Sequence, residues 1–150
     1  MTAKEYLSKL RWAEVVIAAR KSELQKLDEE YKYLSAISYD RDRVQTSPTG
    51  EMFPQSDRRI DLALSIKQSI TELQLFRAEI VKQIAALDDP NHVRILTERY
   101  VNNLSFDAIA ELMNYSYDWI THLHGEALQA FTRKHPGVLQ KTTRKNKFFL

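Results

Sequence analysis

The fold is decided by residues 104–131, which read LSFDAIAELMNYSYDWITHLHGEALQAF. Two runs of apolar side chains recur there at the spacing of one helix face: Phe106, Ile109, Ala110 and Met113, then Ile120, Leu123, Ala127 and Phe131. Ser105 and Ser116 stand just before the two runs, where a hydroxyl oxygen can accept a hydrogen bond from a free backbone N–H group. The stretch therefore predicts two short amphipathic helices joined by a tight turn.

Three residues in this stretch fit the geometry of a helix-turn-helix that reads DNA. Ala110 is small where the two helices have to approach closely, and Ile120 is a branched apolar residue that can fix the second helix on the first. Asn114 stands at the bend, where a positive φ is needed, and Asn adopts that conformation more readily than most residues. We therefore predict a DNA-binding unit, with the solvated surface of an ordinary helical pair as the alternative.

The outward side of the second helix is the candidate reading surface. At 100° per residue, the side opposite Ile120 carries Asp118, Thr121, His122, Gly125 and Gln129, with Tyr117 and Trp119 at the amino-terminal end. A glycine within a helix costs about 1 kcal/mol relative to alanine, and close approach to a duplex would be a reason to keep one. The predicted DNA-binding residues are Ser116, Tyr117, Asp118, Thr121, His122, Gly125, Arg133 and Lys134.

Together with ILTERY at residues 95–100, this stretch resembles region four, the carboxy-terminal helix-turn-helix, of bacterial sigma-70-type factors. NYSY at 114–117 and HLHGEAL at 122–128 resemble more closely the late-transcription regulators of the ArpU/RinA type, which phages and mobile elements encode. The resemblance covers residues 90–132. It implies a recognition helix, residues 117–131, that lies in the major groove, and it gives the reading roles to Tyr117, Asp118, Thr121 and His122.

Composition points to an all-α protein. The 150 residues include only 3 Gly and 4 Pro, and residues that favour helices are abundant. Cysteine is absent, which excludes disulfides and thiolate metal sites. Because no apolar run reaches the length of a membrane span and the amino terminus lacks a signal-peptide pattern, we expect a cytoplasmic protein without membrane contact.

Positive charge is concentrated at the carboxy-terminal end. Residues 133–150 contain six Lys and Arg and no acidic residue, whereas the whole chain carries a net charge of +2. We interpret this segment as a basic tail, which either neutralises DNA phosphates or simply keeps the chain soluble. The final Phe148, Phe149 and Leu150 do not suit a purely electrostatic arm and predict docking on another surface.

Two long helical patterns occupy residues 1–88. Ala3–Ile37 lacks glycine and proline, and apolar residues recur in it and again in residues 59–87 at alternating spacings of three and four. We predict an antiparallel, coiled-coil-like hairpin in which Arg77 meets Glu14 or another acidic side chain, and which pairs with a second copy. The predicted oligomerisation residues are Leu24, Leu27, Leu34, Ile66, Ile70, Leu73 and Ile80.

The sequence thus predicts three parts. A helical hairpin occupies residues 1–88, with a mobile or partner-binding loop at 38–58, because Pro48, Gly50 and Pro54 break regular structure there. A DNA-binding domain follows at 89–132, where Asp89 caps a helix that begins at Pro90, and the basic tail at 133–150 completes the chain.

Enzyme activity is not expected. His122 and His124, two positions apart on a helix, point about 200° away from each other and cannot share a metal ion. No nucleophile motif or phosphate-binding loop is present, so we expect no catalytic residues, no metal and no cofactor. The predicted function is a sequence-specific transcription regulator that binds double-stranded DNA as a homodimer. The alternatives are a DNA recogniser like a phage small terminase, and a sigma-like adaptor that binds RNA polymerase or another protein.

Overall fold

The structure, a computed structural model, describes residues 1–41 and 54–141. In these two ranges all regular structure is helical, which confirms the predicted all-α class. The helices are α1 (Ala3–Arg41), α2 (Pro54–Ala85), α3 (Pro90–Leu96), α4 (Phe106–Met113), α5 (Tyr117–Lys134) and α6 (Pro136–Lys141), and a π-helical segment, Thr97–Val101, continues α3.

Side-chain caps begin α1 and α3. The Thr2 hydroxyl accepts a hydrogen bond from the Glu5 N–H at 3.2 Å, and the Glu5 carboxylate accepts one from the Thr2 N–H at 2.8 Å. Asp89 accepts from the Asn91 N–H at 2.8 Å, and Pro90 occupies the first helical position. Each contact satisfies a donor that a helix start would leave unpaired, so these termini follow from local sequence.

The predicted loop at residues 38–58 is too long at both ends. Helix α1 continues to Arg41 and α2 already begins at Pro54. Proline suits that first position because its missing N–H group would be unpaired there in any case. The rest of the predicted loop, residues 42–53, lies outside the described residues.

The described chain divides into two compact units, of which the second is residues 15–71. In this unit the Arg20 guanidinium donates to the Ser65 hydroxyl at 3.3 Å, and Arg59 pairs with Asp28 at 3.0 Å. Residue numbers rise on one helix as they fall on the other, so α1 and α2 run antiparallel here. Ile17 in α1 and Ile66 in α2 are both buried.

The first unit combines residues 1–14 with the chain from residue 72 onward. Its core draws on every helix, and its largest fully buried side chains are Leu7, Leu10, Ile80, Ile84, Ile95, Leu96, Ile109, Ile120 and Phe131. The Tyr6 ring lies 6.1 Å from that of Phe131 and 5.8 Å from that of Phe76. The predicted boundary at residue 88 therefore passes through one hydrophobic core.

Glu14 joins three parts of this first unit. Arg77 donates to its carboxylate at 3.3 Å, so Glu14 is the acidic partner among those that the sequence left open for Arg77. The Asn103 amide also donates to it, at 3.0 Å. Asn103 itself has a positive φ of 57°, in the connection between the π-helical segment and α4.

The chain's own core uses two of the predicted oligomerisation residues. Ile80 is fully buried and Ile66 is only 4% exposed, so neither is available to a second copy in this structure. Leu73 also packs partly against the core, and Leu24, Leu27 and Ile70 are half-buried. Leu34 alone of the predicted set is exposed. Pairing with a second copy stays a prediction.

The first half of the predicted basic tail belongs to the folded core. Helix α5 continues to Lys134 and α6 follows at once, with Leu139 buried. His135 Nε2 donates to the Gln83 carbonyl oxygen at 2.9 Å and so ties this end of the chain to α2. Residues 142–150, including Phe148, Phe149 and Leu150, lie outside the described residues.

Within the described ranges, none of the helices is both long enough and apolar enough to cross a lipid bilayer.

Candidate nucleic-acid interface

The turn between α4 and α5 is built as the sequence predicts. Ser105 Oγ accepts from the Ala108 N–H at 3.2 Å, and Ser116 Oγ accepts from the Trp119 N–H at 3.2 Å. Asn114 ends α4 in the left-handed conformation, with φ 58° and ψ 44°. Its N–H and that of Tyr115 donate to carbonyl oxygens in the last turn of α4. Two short helices are thereby fixed by contacts that lie close together in sequence.

The inner sides of α4 and α5 are sealed by apolar side chains. Ile109 and Ile120 are fully buried, and Ala110, at 9% exposure, allows the helices to approach each other. Helix α3 packs on α5 from another side. Since the inner side of α5 is occupied in this way, its opposite side is left to face solvent.

A buried polar pair links α5 to the segment after α3. Tyr100 Oη and His124 Nε2 are 2.9 Å apart, and the two rings stack with centroids 5.7 Å apart. Burial lowers the pKa of His124 from 6.5 to about 4, with smaller contributions from the charges of Arg99 and Lys4. Burial also raises the pKa of Tyr100 to about 12. His124 is therefore a neutral core residue and not a surface ligand.

The outward side of α5 is open to solvent in the described chain. The predicted residues Ser116, Tyr117, Asp118 and His122 are exposed, as is Gln129. Gly125 is half-buried, yet a Cβ atom added there would meet no atom within 4 Å. Internal packing thus gives no reason for a glycine at this position.

Two of the predicted reading groups already have partners within α5. Thr121 is half-buried, and its hydroxyl donates to the Asp118 carbonyl oxygen at 2.8 Å. Its oxygen can still accept a hydrogen bond, but its proton is engaged. His122 Nε2 lies 3.1 Å from the Glu126 carboxylate, so this side chain is held against its own helix.

Positive charge is scarce around α4 and α5. Residues 100–132 contain four acidic side chains, Asp107, Glu111, Asp118 and Glu126, and no Lys or Arg. Arg99 donates to the Leu104 carbonyl oxygen at 2.9 Å and lies 4.5 Å from the centre of the Phe106 ring. Arg94 donates to the Leu112 carbonyl oxygen at 3.4 Å. From Tyr100 to Thr132, α4 and α5 therefore contribute acidic side chains but no Lys or Arg.

The predicted anchors Arg133 and Lys134 lie at the other end of α5. Lys134 pairs with Asp88 at 2.9 Å, so its charge is partly matched within the chain. Arg133 and Lys4 line one shallow groove, together with Gln129 and Thr132. Basic side chains thus meet at the carboxy-terminal end of α5, away from Ser116.

Sequence reasoning missed an apolar surface beside the turn. We call Leu112, Tyr115 and Trp119 the aromatic patch; they are 48%, 42% and 47% exposed. The Tyr115 and Trp119 rings have centroids 6.4 Å apart, and the His122 ring lies 5.5 Å from Trp119. The available signal was three large apolar residues within eight positions, all outside the two inward-facing runs.

Comparisons with known proteins add no relative. No family model, no curated protein and no solved structure matches this chain. The resemblance to sigma region four and to ArpU/RinA-type regulators therefore rests on the residues quoted for it.

Proposed function

We propose that this protein is a sequence-specific DNA-binding transcription regulator of phage or mobile-element genes. In this proposal the hairpin of α1 and α2 precedes a helix-turn-helix of the sigma region-four type, and α5 enters the major groove. The observation that carries it is the geometry of α4 and α5: two capped helices, a left-handed Asn114 between them, and an outward side of α5 that is exposed. These are the features that a recognition helix requires.

The outward side chains supply groups that can distinguish base pairs. A carboxylate such as that of Asp118 accepts from the cytosine amino group, and an imidazole such as that of His122 can donate to purine N7 or to guanine O6. Gly125 allows the helix backbone to approach the base edges. Two copies would present two such helices to half-sites about 34 Å apart or a multiple of that distance.

Phosphate contacts have to come from beside the reading surface. With no Lys or Arg in residues 100–132, the candidates are Arg133, Arg94, the groove that Lys4 shares with Arg133, and the positive amino-terminal end of α5. Few such contacts give a shallow dependence of affinity on salt. We therefore expect binding that relies on base contacts more than on charge.

His122 gives the direct test of this function. A duplex selected from a random library by the purified protein provides the specific site, and an unselected duplex provides the reference. His122→Ala should weaken binding to the selected site by about 1–3 kcal/mol and leave the unselected duplex nearly unaffected. Arg133→Ala, as the contrasting variant, should weaken both by similar amounts, since phosphate contacts carry no sequence information. Equal losses on both duplexes for His122→Ala would assign it to anchoring and not to reading.

Gly125→Ala separates folding from DNA binding. Because an added Cβ atom meets nothing within 4 Å, the variant should be more stable by about 0.5–1 kcal/mol, as expected for alanine in a helix. The same methyl group stands on the side that faces the duplex, so affinity for the selected site should fall. Gly137→Ala is the matched control, since its Cβ atom also meets nothing within 4 Å and it lies in α6. A more stable Gly125→Ala protein with unchanged affinity would place α5 farther from the groove than we propose.

One observation favours the sigma-like adaptor as a second candidate. The aromatic patch and the acidic side chains around it are better suited to a protein surface than to a phosphate backbone. If the purified protein selects no duplex from a random library but is retained by RNA polymerase, the adaptor replaces the DNA reader.

A further inference from the structure

The aromatic patch is an apolar surface that the described chain leaves uncovered. Leu112, Tyr115 and Trp119 come from the last turn of α4, the turn after it and the first turn of α5, and each exposes two-fifths or more of its surface. Large apolar side chains grouped in this way on a small domain mark a contact site for another segment. Tyr and Trp are also the residues that most often carry binding energy in such contacts.

Acidic side chains flank this patch. Glu111 adjoins Leu112, and Asp118 adjoins Trp119; both are exposed. Glu126 lies about two turns further along α5 and pairs with His122, whose ring contacts Trp119. Arg94 contributes one positive charge through its bond to the Leu112 carbonyl oxygen. Acidic groups outnumber it, so the surface suits a segment that joins basic residues to apolar ones.

The chain contains one such segment. Residues 142–150 read TTRKNKFFL, in which Arg144, Lys145 and Lys147 are followed directly by Phe148, Phe149 and Leu150. This segment has no acidic residue. Its basic residues are opposite in charge to the acidic side chains beside the patch, and its aromatic residues resemble the apolar side chains of the patch itself.

Distances favour a segment from another copy. Trp119 precedes Lys134 by 15 residues of helix, which is about 22 Å at 1.5 Å per residue. Phe148 follows Lys141, the last residue of α6, by seven residues, which span at most about 25 Å when fully extended. A segment that docks within its own molecule has to cover the whole distance from Lys141 to the first turn of α5 with this short span. A segment from a second copy is free of that limit.

We propose that residues 142–150 of one copy dock on the aromatic patch of a second copy, with Phe148 and Phe149 against Tyr115 and Trp119 and the basic residues beside Glu111 and Asp118. The contact itself does not require the proposed DNA function. Because the Trp119 ring lies beside His122, an occupied patch would compete with a duplex for this end of α5 if α5 reads DNA as proposed.

Photo-crosslinking in the full-length protein, without DNA, tests this contact. Phe149 is replaced by a photoreactive phenylalanine analogue, and isotopically heavy and light copies are mixed before irradiation. Mass spectrometry should find crosslinks that join a heavy copy to a light copy and that map to residues 112–122. Crosslinks confined to single copies, or mapped to another surface, would overturn the proposal.

Two variants and one change of conditions sharpen the result. Trp119→Gln should reduce the yield of crosslinks between copies by about fivefold or more, as expected for loss of a central aromatic contact. Leu75→Gln removes an apolar side chain of α2 that is 67% exposed, and should leave the yield unchanged. Raising NaCl from about 0.1 M to about 1 M shortens the Debye length from about 10 Å to about 3 Å and should also lower the yield. Equal effects of the two substitutions, or no effect of salt, would contradict docking by this segment.

Discussion

Replacing Phe131 by alanine should lower the free energy of unfolding by about 3–5 kcal/mol, the range observed for buried aromatic side chains. Phe131 lies in α5 and is fully buried. The centre of its ring is 6.1 Å from that of the Tyr6 ring and 4.8 Å from that of the His135 ring. The cavity left by the variant would therefore open between the start of α1, the end of α5 and the residue that precedes α6. Few single changes in this chain should have a larger effect on stability.

Urea denaturation followed by tryptophan fluorescence measures this effect. Trp12 and Trp119 both belong to the first compact unit, so the signal reports that unit. Leu75→Ala is the matched control, because this exposed leucine of α2 lies in the same unit and its loss should change stability by no more than about 0.5 kcal/mol. Similar unfolding midpoints for the two variants would show that α1 does not pack on α5 as described.

A second large effect should come from His124 as the pH falls. In the folded chain burial holds the pKa of His124 at about 4, against 6.5 in the unfolded chain. Between these values the unfolded state binds a proton that the folded state does not, so stability decreases as the pH is lowered. The contribution is fully present above pH 6.5 and is lost as the pH falls towards 4, and its size is on the order of 3 kcal/mol.

His124→Gln isolates this contribution from the carboxylates, which also titrate at low pH. Glutamine can still hydrogen-bond to the Tyr100 hydroxyl, but it does not take up a proton. Free energies of unfolding measured in urea at pH 7 and pH 4 should fall by about 3 kcal/mol more for the wild-type protein than for the variant. Parallel losses in the two proteins would mean that His124 reaches solvent more easily than its buried position indicates.

Local sequence signals predicted the starts of α3, α4 and α5 and the turn between α4 and α5 well. Ser105, Asn114 and Ser116 act on backbone groups within three or four residues of themselves, so their roles can be inferred without knowledge of the tertiary structure. Arg77 was predicted to meet Glu14 or another acidic side chain because Arg77 and Glu14 both interrupt an apolar pattern at which two helices meet, and the structure pairs it with Glu14. The scarcity of glycine and proline, with many residues that favour helices, predicted the all-α class.

Tertiary packing was harder to predict from the sequence. An apolar stripe shows that a helix face is buried but not which element buries it, so the contact of Tyr6 with Phe131 could not be inferred. Residues 133–150 were interpreted as a basic tail from their charge alone. That interpretation overlooked Leu139, a single apolar residue that is buried. Pro48, Gly50 and Pro54 were likewise all interpreted as residues that break helices, although a proline can also begin one, as Pro54 does in α2.

For the candidate site, helical geometry predicted which side chains face outward but not the contacts that they make. Helical geometry placed Asp118 and His122 on the outward side of α5, and both are exposed there. It could not show that the Thr121 hydroxyl donates to a backbone carbonyl oxygen, or that Arg99 is held over the Phe106 ring. Such pairings depend on rotamers and on neighbours from other helices, and a helix projection contains neither.

The union of residues 1–14 with the chain from residue 72 onward has a consequence for biosynthesis. A ribosome releases Tyr6, Leu7 and Leu10 long before it has made Phe131, against which Tyr6 packs. At about 5–20 residues per second the nascent chain waits on the order of ten seconds for that partner. During this interval the apolar face at the start of α1 lacks the side chains of α5 that cover it in the folded protein.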